Sequence, residues 1–157
     1  MDQKKLALWL KALIVGCALC GIVLFGFLLP AWLNDLAADN PGLSGWAWTA
    51  FMWIAAIPCF LVLGCAGRIA GEIGMNNSFS LINARMLKYV AVLAAGDVGF
   101  LILGNGVFAI LGMNLPLLVL ISAFVCFVGL AISVAAACLS HLVLKAAKLQ
   151  EDSDLTI

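Results

Sequence analysis

Four long apolar runs, at about residues 12–33, 46–67, 89–113 and 117–144, decide what this chain can fold into. A run of more than about 18 apolar residues exceeds what a buried helix in a soluble domain needs, and it matches a hydrocarbon layer roughly 30 Å thick. Inside lipid the backbone amides must find their partners within the protein, which leaves helices or a closed barrel. The runs are continuously apolar instead of alternating, and each is about twice the length of a barrel strand. The expected fold is therefore all-α, an integral membrane four-helix bundle with antiparallel neighbours. The first run resembles a cleaved signal segment only superficially. Leu6 to Leu33 is long, contains Pro30 and lacks a small-x-small cleavage site, so it is expected to remain as the first span.

Charge sets the expected orientation. Of 157 residues 66% are hydrophobic and 10% charged, against roughly 45–50% and about 25% in a soluble domain. The eight basic residues fall in three places: Lys4, Lys5 and Lys11 before the first span, Arg68, Arg85 and Lys88 between the second and third, Lys145 and Lys148 after the fourth. With four crossings these regions share one side, and the other side carries Asp35 and Asp39 with no positive charge. The positive-inside rule then places both termini in the cytoplasm. Trp32, Trp46 and Trp48 flank the first outer loop, as amphipathic rings do at a headgroup boundary. Equal numbers of acidic and basic residues give no footprint for direct nucleic-acid binding.

Outside the spans, residues 68–88 form a connector and 145–157 a tail, both expected in the cytoplasm. Gly71 and Gly74 are expected to interrupt any helix in the connector, with Asn77 or Ser78 capping a new amphipathic segment that leads into the third span. Asn114, Leu115 and Pro116 form a very short outer turn. Ala91, Ala95 and Gly99 make a stripe of small residues at four-residue spacing, suited to packing within the bundle or to a homo-oligomer seam.

The segment GMNNSFSLINARMLKYVAVLA, Gly74 to Ala94, and the ending AAKLQEDSDLTI, Ala146 to Ile157, resemble the signatures of the YoaS-like family of four-span bacterial membrane proteins. The matching positions are Phe79, Asn83, Leu87 and Lys88, and the closing Asp-Leu-Thr-Ile; Asn77 and Ser78 stand where the more familiar form has a proline. The resemblance spans nearly the whole chain and implies architecture without a reaction. It also implies a bacterial inner membrane as the location and a cytoplasmic helix-turn-helix regulator as partner.

Enzymatic chemistry is not expected. The six cysteines lie in or beside apolar helices, Cys17 and Cys20 at a C-x-x-C spacing included, and read as small packing residues. His141 is the single histidine, which leaves neither a metal set nor a paired-histidine haem site, so no cofactor is expected; it is read as lying near the last turn of span four. No phosphate-binding glycine loop, metalloprotease motif or serine-hydrolase elbow occurs.

Two candidate sites remain. One is a cytoplasmic contact surface built from Phe79, Asn83, Arg85, Leu87 and Lys88 with Glu151, Asp152, Asp154, Leu155 and Ile157. It supports a regulatory or scaffolding role. The other is Asp97, nine residues beyond Lys88 and so about 13 Å into the third span. An aspartate at a helix centre costs roughly 2.5–3.5 kcal/mol on insertion scales, so it must face the bundle, carry a proton or reach water. Asn105 follows eight residues later, about 80° around the helix, and Thr49, Ser122 and Ser133 are further polar groups in reach. The regulatory or scaffolding role is the leading expectation, and this second site supports the alternative, a small transporter or channel component.

Overall fold

A computed structural model describes the backbone of residues 3–75 and 77–154 and the side chains of residues 4–75 and 77–150. The described chain is an all-α four-helix bundle. Helix α1 (Gln3–Val23) passes through a π-helical turn (Leu24–Leu28) into α2 (Leu29–Asp39), and α3 (Gly45–Gly74), α4 (Leu81–Ile110) and α5 (Pro116–Asp154) follow. Four stretches, Lys4–Asp39, Gly45–Gly74, Leu81–Ile110 and Pro116–Gln150, are long and apolar enough to cross a membrane.

Pro30 shapes the first helix. In the π-helical turn the amide of Leu29 donates to the carbonyl of Leu24, five residues back. The next bond in that register would run from residue 30 to Phe25, but Pro30 has no N–H. The indole Nε1 of Trp53 on α3 donates to the Phe25 carbonyl instead, at 2.8 Å. A side chain from a neighbouring helix thus satisfies the backbone group that proline leaves bare in lipid.

The helices are arranged as a row. Gly21 faces Phe60 and Gly74 faces Ala7 across α1 and α3; Ser133 Oγ donates to the Ala91 carbonyl at 2.8 Å and Ser140 Oγ to that of Ala84 at 2.7 Å across α5 and α4. These pairings join early residues of one helix to late residues of the next. Among the described residues α1 meets α3 but has no Cα within 8 Å of α4 or α5, leaving α1 and α5 as the two edges.

Two packed ends result. Leu33, Leu43, Trp48, Phe51, Ala55, Leu101 and Leu118 form the larger cluster, near the turns α2–α3 and α4–α5. Trp48 is fully buried, stacks on Phe108 at 4.5 Å between centroids and donates Nε1 to the Met113 carbonyl at 3.0 Å. That carbonyl lies in the turn that ends α4. Met113 N–H bonds to the Phe108 carbonyl and Gly112 N–H to that of Ala109, a Schellman arrangement that requires the positive φ of Gly112, +68°. Gly45 is equally constrained: a Cβ there would sit 2.9 Å from Asn34 Oδ1 and 3.0 Å from the Leu33 carbonyl. The smaller cluster, Val90, Ala91 and Ala136, closes the opposite half of the bundle.

The connector differs from its expected form. Helix α3 continues through Gly71 to Gly74 without interruption. The cap of α4 is Ser80, whose Oγ accepts the Asn83 amide at 3.1 Å, and α4 then runs unbroken to Ile110. Glycine costs a helix only about 1 kcal/mol per residue, which favourable packing of α3 outweighs. At the other end α5 extends to Asp154, so His141 lies well inside a helix and is exposed, not in a last turn.

Candidate functional site

Between the two packed clusters the four helices leave a groove of about 440 Å³. Cys17, Gly21 and Phe25 border it from the first helix, Pro58 to Phe60 from α3, Ala94, Asp97 and Leu101 from α4, and Phe124, Val128 and Gly129 from α5. Among the described residues α1 and α5 have no Cα atoms within 8 Å of each other, and the groove opens sideways between them. On the opposite wall Gly129 lets α5 close upon α4, since a Cβ there would lie 2.8 Å from Val98 Cγ2.

Asp97 is the one charged side chain among the described residues lining this groove. Its residue is half-buried and its Oδ1 is sealed from solvent with no hydrogen-bond partner. The same aspartate borders a second, smaller hollow of about 270 Å³ with Ile54, Pro58 and Phe100. Pro58 has no N–H, so the Ile54 carbonyl loses its donor in the helix ladder. A carboxyl group and a helix defect therefore meet at one depth in the bundle, where neighbouring groups must make up the missing backbone bonds. Cys59 and Cys17 are the other groove residues with reactive atoms, and all six cysteines are free thiols.

The structure does not join Asp97 to its expected polar companions. Asn105 Nδ2 bonds to the Leu101 carbonyl of its own helix at 2.8 Å, and its backbone carbonyl accepts from Asn114 Nδ2 at 2.8 Å. It lies in α4, is tied to Asn114 of the α4–α5 turn and does not line the groove. Thr49 bonds back to the Gly45 carbonyl at 2.8 Å, and Ser133 is committed to Ala91. Ser122 is buried without a partner and is absent from the groove lining. Of the small-residue stripe, Ala91 is buried but Ala95 is exposed.

The connector residues separate into two kinds. Asn83 is buried and donates Nδ2 to the carbonyls of Ser78 at 2.9 Å and Asn77 at 3.3 Å, holding the α3–α4 turn closed. Phe79, Arg85 and Lys88 are exposed, and Leu87 is partly covered. In the tail, Leu155 and Ile157 lie outside the described residues, as do the side chains of Glu151, Asp152 and Asp154.

Phe25, Pro58, Phe60 and Phe124 are site residues that the sequence reading missed. Pro30 and Pro58 were the available signals, because prolines within apolar runs mark places where a helix ladder is broken. Among the described residues no group of three or more histidine, cysteine or acidic side chains is arranged to hold a metal ion.

Comparison with known proteins gives one family and one full-length relative. The family model described as "Protein of unknown function (DUF2975)" matches residues 9–157. The chain is similar to the "Uncharacterized membrane protein YoaS" of Bacillus subtilis (strain 168), 27% identical over 154 residues covering 96% of each chain. No solved structure gives a significant match.

Proposed function

Since the chain belongs to the DUF2975 family of proteins, we propose that this bacterial membrane protein works through Asp97, as a small transporter or channel component whose site lies inside the bilayer. The observation that carries this reading is a sealed carboxyl oxygen without a partner at the wall of a lipid-depth groove. An ionisable side chain within a span is expensive, and its default interpretation is a site for an ion, proton or ligand. We read consecutive spans as antiparallel and both termini as cytoplasmic. The support is the gathering of every basic residue on the flanks that would share that side.

Substitution Asp97→Asn tests the reading, because it keeps size and hydrogen-bonding capacity while removing the titratable charge. In a strain carrying this variant at wild-type abundance, fitness across a panel of chemical stresses should reproduce the profile of a full deletion. A profile matching the parent would leave Asp97 as a packing residue and end the proposal.

A second reading, regulatory or scaffolding contact at the cytoplasmic face, is favoured by exposed Phe79 just before α4 and exposed Arg85 and Lys88 in its first turns. The partner would be a soluble protein such as a helix-turn-helix regulator, and a homo-oligomer could present several such faces. Crosslinking in native membranes should capture that partner with the parent chain and lose it with Phe79→Ala/Arg85→Ala. Undiminished capture by the double variant would remove this surface from consideration.

A further inference from the structure

The groove's contents specify a ligand class, and this step rests on the Asp97 reading above. Three properties combine. The space, about 440 Å³, falls in the usual range of roughly 300–1,000 Å³ for small-molecule sites. Its walls are apolar and include the rings of Phe25, Phe60 and Phe124. Its one acidic side chain is Asp97, with no lysine, arginine or histidine among the described lining residues. An anion would meet that carboxylate with no compensating donor. A neutral apolar molecule would offer the Asp97 carboxyl no counter-charge. A cation with an apolar body satisfies both parts of the site, since the carboxylate gains its counter-charge and the aromatic walls accept the hydrocarbon surface. Aromatic faces also attract cations directly.

The entrance fits the same chemistry. The groove is reached between α1 and α5, the two helices that stand apart along the lipid-facing side. A lipophilic cation already concentrates in the bilayer and could enter without crossing a polar vestibule. We infer that the groove between α1 and α5 is a binding site for a lipophilic organic monocation, entering from the lipid, with Asp97 as its counter-ion.

Tetraphenylphosphonium and tetraphenylborate make a decisive pair of probes, because they are nearly equal in size and opposite in charge. Equilibrium dialysis against the full chain in nonionic detergent, corrected for empty micelles, should show saturable 1:1 binding of the phosphonium and none of the borate. Asp97→Asn should weaken phosphonium binding at least tenfold and Asp97→Glu should retain it. Val125 also lines the groove on α5, and Val125→Trp, which keeps the Asp97 carboxyl and fills the space, should weaken binding similarly; it decides the matter if Asp97→Asn fails to give a monodisperse helical protein. Equal binding of both ions, or unchanged phosphonium binding in Asp97→Asn or Val125→Trp, overturns the inference. The two readings fail separately. Loss of the cation result with a deletion-like fitness profile for Asp97→Asn rejects the ligand class and keeps the functional aspartate. Asp97-dependent cation binding with a parental fitness profile supports the site and rejects its role in the proposed function.

Discussion

Trp48→Ala should be the most destabilising single substitution in the larger packed cluster, lowering stability by about 3–5 kcal/mol on the scale of buried aromatic truncations. Three losses add at one position. The indole fills space among α2, α3 and the α4–α5 turn with no exposed surface, so its removal leaves a cavity. The stacked contact with Phe108 and the edge contact with Phe51, at 4.5 and 5.7 Å between centroids, both vanish. The Met113 carbonyl also loses its donor. In a lipid-exposed bundle the penalty comes mainly from packing, because lipid tails are as apolar as the core and association rests on close contact. Trp48→Phe separates the parts: it keeps a ring and deletes the N–H, and should cost about 1 kcal/mol for the hydrogen bond alone. Unfolding by sodium dodecyl sulfate, followed by circular dichroism, reads both. Equal losses for the two variants would mean that the hydrogen bond, not the packed ring, holds this end together.

The second large effect is expected at Gly104. A Cβ built there would overlap the edge of the Phe51 ring at Cε2 and Cζ, so Gly104→Ala must displace that ring from its stack with Phe100. Overpacking of this kind costs about 1–3 kcal/mol. Gly106, on the same helix, has nothing within 4 Å of an added Cβ. Gly106→Ala should therefore be neutral or stabilising by up to about 1 kcal/mol through helix propensity. Adding Phe51→Leu to Gly104→Ala should recover part of the loss, because residues in contact are energetically coupled. The same detergent titration measures all four proteins. Equal behaviour of the two glycine variants would contradict the close approach of α3 and α4 at this level.

The two sites expected from sequence differ in how far residues alone could define them. Continuous apolar length is a direct consequence of bilayer thickness, so the four spans could be read without tertiary information. Asp97 stood out for the same reason, a charge where lipid makes charge expensive. Its surroundings did not. Which face of α3 meets α4 depends on Phe51 entering the space left by Gly104, and nothing in the apolar run distinguishes that face. Asn105 shows the limit clearly: angular position suggested company for Asp97, but a side-chain bond to Leu101 ties it to its own helix. Asn83 likewise proved to be an internal brace for the connector, because its amide reaches two carbonyls of the preceding turn. The glycines of the connector misled for an energetic reason, since their modest helix penalty is readily overcome in a long packed helix.

The π-helical turn at Leu24–Leu28 has a further consequence for how this protein can change its length. Such a turn holds one residue more than the α-turn it replaces, so it is the form a single-residue insertion takes when the flanking faces are kept in register. Removing a residue elsewhere between Gly21 and Leu33 would turn everything beyond it by about 100°, carrying Leu33 out of its buried place beside Trp48. Removing one residue inside the π-turn would instead let the helix relax to ordinary geometry with Gly21 still against Phe60 and Leu33 still inside. Descendants of this chain can therefore shorten their first helix at that point by one codon while preserving both surfaces on either side of it.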